Sequence, residues 1–278
     1  MSEAATLPDA ARPVAGPVAG HVISDVVRTG TILAVASGKG GVGKTWLAIT
    51  LAHALARSGA RVLLFDGDFG LANIDVQLGL AASATDLSAV ISGRLALPAA
   101  VSRLPAGFDL LAGQSGSGAL ASLPAARLEA LLAALRQAAS SYDHVILDLG
   151  AGLERATRRL AVFADTLLVL ATDEPTSLTD AYAVMKLHAQ DRAQLPSPRQ
   201  SGPPRVVVNQ AATAAAGRRT HATLARACQH FLGFSPELAG IVRRDEQVRM
   251  SIRRQALLLD RAPACFAALD VAAMARTL

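Results

Sequence analysis

The stretch TILAVASGKGGVGKT (31–45) reads as a strand that runs through a glycine-rich loop into a helix. Between Thr31 and Ser37 the residues are continuously apolar rather than alternating, as in a strand buried on both faces of a parallel sheet. Gly38 to Thr45 fit G-x-x-x-x-G-K-[ST], and a helical pattern over 44–60 follows at once. Strand before and helix after are the context that a phosphate-binding loop requires. Glycines let backbone N–H groups converge on phosphate oxygens, and the helix N-terminus adds favourable partial charge. The candidate nucleotide-binding set is therefore Gly38, Gly40, Gly41, Val42, Gly43, Lys44, Thr45 and Trp46. Lys44 would reach the β- and γ-phosphates, and the Thr45 hydroxyl would ligate Mg²⁺. Lys39 is a second lysine for which this motif has no use.

Outward from the loop, short apolar runs at 61–66, 144–149, 166–172, 205–210 and 238–242 alternate with helical patterns at 125–140, 177–190 and 223–234. This succession predicts the P-loop NTPase fold: an α/β domain with a single doubly wound, mostly parallel sheet and helices on both faces. Residues 194–204 read as a surface loop, since another strand and helix follow it. The Ala-, Pro- and Gly-rich residues 1–27 read as a flexible tail, leaving 28–278 as the domain.

A phosphate loop needs carboxylates nearby to support the metal and position water. The strand YDHVILDL (142–149) carries Asp148 at its end, where a Walker B aspartate stands, and Gly150 and Gly152 permit a close turn after it. The second strand ends in Asp66 and Asp68, spaced i, i+2 so that one can face Mg²⁺ and the other a water. Asp66 and Asp68 could equally cap the short helix expected from about Asn73.

The 278 residues carry a formal charge of +5 and are 51% hydrophobic but only 4% aromatic, so the core must be built from Ala, Leu and Val. So modest a charge excess argues for solubility rather than for nucleic acid as a partner. Cys228 and Cys265 make no CxxC pair, which disfavours a disulfide framework and a structural zinc. No secretory signal and no apolar run of spanning length is apparent, so the expected location is cytoplasmic.

With these residues in view, the sequence resembles the MinD/ParA family of deviant Walker ATPases, whose loop reads K-G-G-x-G-K-T; Lys39 to Thr45 here are KGGVGKT. The resemblance extends from Thr31 to about Ala262. It implies ATP and Mg²⁺ as cofactors and an ATP-dependent homodimer in which Lys39 crosses to the partner's nucleotide. It implies catalytic roles for Lys39, Lys44 and Asp68, with Asp68 orienting the attacking water. Thr45, Asp66 and Asp148 fall on the metal side, and Asn209 takes the place of an adenine-contacting asparagine. Residues 239–255 resemble the segment that closes over the base, with Arg243 where the family usually has proline.

DGDFGLANIDVQLGL (66–80), DLGAGL (148–153) and TDEPTSLTDAYAVMKL (172–187) are similar to the flagellar-regulator branch of that family, FlhG or FleN. That likeness implies control of flagellar number and placement, acting with flagellar regulatory or switch proteins and a partner GTPase. Slow, partner-stimulated hydrolysis and a peripheral position at the inner membrane face or cell pole go with it. Residues 1–30 hold nothing like the branch's D-Q-A-x-x-L-R motif, and the segment 265–278 has one basic residue, Arg276, so it reads as core packing rather than as a membrane helix. Three rival readings stand beside this one. A DNA-partitioning ATPase would use Arg155, Arg158, Arg159, Arg243, Arg244, Arg253 and Arg254, but acids are interspersed among them. Iron–sulfur relatives need interface cysteines that Cys228 and Cys265 do not match. A non-hydrolysing scaffold would not need Lys44, Thr45, Asp68 and Asp148 together.

Overall fold

The computed structural model describes Met1 and residues 30–81, 85–113, 123–195 and 202–278. Past Met1, the expected tail to residue 27 lies outside the described residues, as does the middle of the expected loop, 196–201. The strands are β1 (Thr31–Ala36), β2 (Val62–Gly67), β3 (Ser102–Arg103), β4 (Asp109–Leu111), β5 (His144–Leu149), β6 (Thr166–Ala171), β7 (Arg205–Ala211) and β8 (Glu237–Arg243). They form one sheet in the order β3-β4-β2-β5-β1-β6-β7-β8, parallel except for the β3–β4 pair. The helices are α1 (Lys44–Arg57), α2 (Ile74–Leu78), α3 (Leu87–Ile91), α4 (Leu97–Ala100), α5 (Ala125–Ala139), α6 (Arg155–Phe163), α7 (Pro175–Ala193), α8 (Ala214–Leu232), α9 (Glu246–Arg253), α10 (Leu258–Arg261) and α11 (Phe266–Ala275). The fold is the expected α/β class, a mostly parallel sheet between two helical layers.

Period two along the strands divides the core. In β1, Ile32, Ala34 and Ala36 face the layer of α5, α6, α7 and α8, while Leu33 and Val35 face α1, α10 and α11. Both faces are buried, which is why β1, β2, β5 and β6 read as unbroken apolar runs. The chain leaves β1 for one side of the sheet through β2 and returns to the other side at β6. The carboxyl ends of the central strands therefore open into a crevice beside β1, the usual ligand position in an open α/β sheet.

Four local expectations shift. β5 lies between β1 and β2, so Asp66 reaches the loop strand only across Asp148, its register partner. Helix α1 stops at Arg57, and Gly59 turns the chain with φ +93°. Helix α8 begins at Ala214, nine residues before the expected start; the Thr213 hydroxyl caps it, accepting from the Ala216 N–H. Gly217 weakened the sequence pattern there, yet its bare α-carbon lets α8 lie against Ile241, whose Cγ2 is 2.5 Å from where a β-carbon would stand. In α11 the buried face is Ala267, Ala268, Val271 and Met274, which leaves Phe266 and Leu269 exposed.

Candidate functional site

What the sequence placed in the site is carried on the loop after β1, on the start of α1, and at or just beyond the ends of β2, β5 and β7. Gly41 and Gly43 have positive φ, +77° and +95°, and no atom lies within 4 Å of a β-carbon built on Gly40 or Gly41. The loop's concave side is therefore open backbone. Gly43 forms the N-cap of α1 without any side-chain cap, so the first N–H groups of the helix are free for an anion. Gly38 packs against α7, with the Asp180 carbonyl 2.5 Å from where a β-carbon would stand, so no larger residue fits there.

Lys44 begins α1 and is buried; desolvation lowers its pKa, opposed by Asp148 and Asp68. Asp148 is buried as well. Its pKa is pushed up to about 8, first by burial and then by the charge of Asp66, against a hydrogen bond from the Thr45 hydroxyl and the charge of Lys44. Its Oδ1 has no hydrogen-bond partner in the protein. Asp66, its register neighbour, is raised to about 6 by burial despite accepting three backbone N–H groups. Asp66 Oδ1 accepts from Asp68 at 3.2 Å, and Oδ2 accepts from Asn73 at 3.1 Å and Ile74 at 3.2 Å. Asp68 stands at the rim, its Oδ1 accepting from Gly70 and Leu71 and lying 3.1 Å from where a Gly150 β-carbon would be.

Burial is the first cause of the raised pKa of both carboxylates in this register pair, and the charge of Asp66 adds to it at Asp148. An unpartnered buried acceptor beside a Thr hydroxyl and a Lys fits a hydrated Mg²⁺ held chiefly by phosphates. Among the described residues no three of His, Cys, Asp and Glu converge as metal ligands, as such a site requires none. Thr45 and Asp148 are the side chains that would hold such an ion. Asp66 stands behind them, tying residues 68–74 to the same point.

Lys39 leaves the phosphate side. Its Nζ donates to Glu174 Oε2 at 2.5 Å and to Thr176 Oγ1 at 3.1 Å, at the start of α7. Its backbone carbonyl accepts from the Ser37 hydroxyl at 2.7 Å. Glu174 and Thr176 lie in the quoted stretch 172–187, but nothing in their types marked them as the lysine's dock.

Beyond the loop a cavity of about 420 Å³ is bounded by Gly41, Gly43, Trp46, Asn209 and the start of α9. Asn209 is buried and its amide is engaged at both ends: Nδ2 donates to the Val42 carbonyl at 2.7 Å, and Oδ1 accepts from the Gln210 N–H at 2.9 Å. It fastens β7 to the phosphate loop. Gln210 has φ +56°, which no sequence signal announced because glutamine carries no turn preference. Arg243 is held by α11: Nε and Nη2 donate to Asp270 at 2.9 and 2.8 Å, and its guanidinium lies 4.2 Å over the Phe266 ring. The other arginines considered for DNA are partly spoken for, Arg158 by Asp191 and Arg159 by Glu129.

A glycine-rich loop between the central strand and a helix, with a buried lysine and Walker B aspartate, defines a P-loop nucleotide-binding protein. Residues 33–258 match the family described as the CobQ/CobB/MinD/ParA nucleotide binding domain, and the chain belongs to that family. It is 34% identical over 245 residues to the antiactivator FleN of Pseudomonas aeruginosa, a match covering 88% of this chain and 85% of that one. It is 29% identical over 230 residues to the flagellum site-determining protein YlxH of Helicobacter pylori, covering 80% and 74%. The crystal structure of the cell division ATPase MinD of Pyrococcus furiosus superimposes with a TM-score of 0.72 at 20% identity, over 89% of this chain and 97% of that one. Among the described residues no helix is long and apolar enough to cross a membrane.

Proposed function

We propose that the protein is an ATP-hydrolysing switch that dimerises with ATP and regulates the number or placement of flagella. The observation that carries the chemistry is the buried Asp148 oxygen without a partner, set among Lys44, Thr45, Asp66 and Asp68. The similarity to FleN and YlxH carries the pathway.

In this reading the loop's N–H groups and Lys44 bind the phosphates. Thr45 and Asp148 would hold a magnesium ion, which when bound would neutralise phosphate charge. Lys39 leaves Glu174 and Thr176 and reaches the partner's phosphates, acting as an arginine finger does. Asp68, at the rim, orients a water for in-line attack on the γ-phosphorus; ATP and water become ADP and phosphate. Loss of the γ-phosphate removes the contacts that hold residues 66–80 and 148–153, and the dimer opens. Flagellar regulatory or switch proteins, a partner GTPase among them, sense the closed dimer, and the protein acts in the cytoplasm at the inner membrane face or cell pole.

The test is a count of flagella by electron microscopy on cells of the source organism lacking the gene. Extra or misplaced flagella, corrected by the wild-type gene but not by Lys44→Ala, are expected. Unchanged flagella would sink the flagellar assignment and turn attention to cargo partitioning, with the ATPase chemistry tested separately by calorimetry on Lys44→Ala.

A further inference from the structure

We infer that Gln210 selects the base of the bound nucleotide, holding adenine and rejecting guanine; the inference rests on the nucleotide-binding reading above. Strand β7 loses register with β8 between Val208 and Ala211, and Gln210 sits in that irregularity with φ +56°. A left-handed backbone is sterically unfavourable for a residue with a β-carbon. Here it is imposed by Asn209, which takes the Gln210 N–H on its Oδ1 and donates to Val42 of the phosphate loop. The conformation is thereby tied to the loop that would hold the phosphates.

Among the described residues one other non-glycine residue has positive φ, Gln255. Its amide is committed to the fold, since Nε2 donates to the Val76 carbonyl at 2.8 Å and fastens the end of α9 to α2. The Gln210 amide makes only a long bond of this kind. Its Nε2 lies 3.5 Å from the Gly41 carbonyl, long enough to orient the amide without consuming it. Gln210 is half-buried on the wall of the 420 Å³ cavity beside Gly41 and Gly43. Of the other polar side chains on that wall, Asn209 is engaged at both ends of its amide, Arg243 by Asp270, and Asp245 by capping α9 through the Gln247 N–H at 2.9 Å; Trp46, whose buried Nε1 has no partner, Arg244 and Arg249 offer donors alone, and Glu246 acceptors alone.

With its nitrogen turned toward Gly41, the amide presents its oxygen and its second N–H to the cavity. That pair complements a base edge with an amino donor next to a ring-nitrogen acceptor, which adenine has. Guanine places a carbonyl where adenine has the amino group, so two oxygens would face each other. Asn209 is then a positioning residue, and Gln210 is the group that touches the base.

The test compares Kd for ATP and GTP, each with Mg²⁺, in the wild type, Gln210→Ala and Gln210→Gly, read by calorimetry or by the fluorescence of Trp46, the chain's single tryptophan. Inorganic tripolyphosphate serves as a probe of the phosphate loop alone. Gln210→Gly relieves the left-handed backbone, so that variant should melt no lower than the wild type. In both variants the preference for ATP over GTP should fall about tenfold or more, the scale of one bidentate base contact, while tripolyphosphate affinity stays within twofold. A folded Gln210→Gly with the wild-type preference overturns the inference, as does a wild type that binds both nucleotides equally. A wild type that binds neither overturns the nucleotide-binding reading along with it.

Discussion

Asp148→Asn should stabilise the nucleotide-free protein while disabling it, and the gain should depend on pH. Burial and the neighbouring Asp66 raise the Asp148 pKa from 3.8 to about 8. A carboxyl whose folded value lies above its unfolded value is bound to its proton more tightly in the folded state. Its contribution is therefore most favourable below about pH 4 and is lost as pH rises toward 8, after which nothing more is lost. At about 1.36 kcal/mol per unit, the loss approaches ~5 kcal/mol by pH 8 and is about a third of that at pH 5. Local relaxation and the loss of a partner for Lys44 reduce the benefit of the amide to roughly 2 kcal/mol, or about 5 °C in Tm for a chain of this size. Thermal melts in EDTA, without nucleotide, from pH 5 to 8.5 should show wild type and variant close at the acid end and diverging toward pH 8. A gap that stays constant over that range, or a variant that melts below wild type at pH 8, would refute the buried-charge account of this site.

The same raised carboxyls predict that Mg²⁺ and ATP binding at pH 7 expels protons. The calorimetric enthalpy should then differ between phosphate and Tris buffers by a fraction of a proton's ionisation heat, and buffer-independent enthalpies would contradict this. Lys39→Ala should leave ATP-bound protein monomeric in light scattering. Glu174→Ala, which frees Lys39 from its dock, should shift dimerisation to lower ATP concentration; a weaker dimer would mean that Glu174 serves the closed state instead. Asp68→Ala should retain ATP affinity within a few-fold yet slow phosphate release about a hundredfold, accumulating dimer, and normal turnover would remove Asp68 from the mechanism.

The sheet was legible because β1, β2, β5, β6 and β7, buried on both faces, leave runs that no amphipathic helix would produce, and the phosphate loop because its glycines and lysine keep a fixed spacing. Of the short elements between Gly67 and Gly113, α2 was expected from about Asn73, and the others were not legible. β3 and β4 have two and three residues, and α3 and α4 five and four, too few for any period to emerge. The site was legible by residue type and illegible by contact. Lys44, Thr45, Asp66, Asp68, Asp148 and Asn209 could all be named from sequence. That Lys39 rests on Glu174 could not, because the two are 135 positions apart and join through the fold alone. Likewise, the pull of Asp270 on Arg243 arises from α11 folding back beside β8.

Those contacts also link the Asp66–Asp148 pair to the rest of the domain. Both oxygens of Asp66 hold backbone N–H groups of residues 68–74, so the charge state of the Asp66–Asp148 pair acts directly on the segment that carries Asp68. That segment runs into α2, whose Val76 carbonyl accepts from Gln255 at the end of α9. Helix α9 in turn supplies Val248 and Ile252 to the wall of the cavity beyond Trp46. Carboxylate pair, rim aspartate and the far wall of the cavity are thus joined by hydrogen bonds and packing without a gap. A change of charge at Asp148 therefore has a continuous physical route to the opposite wall of the pocket, and Gln255→Ala, which cuts it at Val76, should weaken the dependence of nucleotide affinity on Mg²⁺.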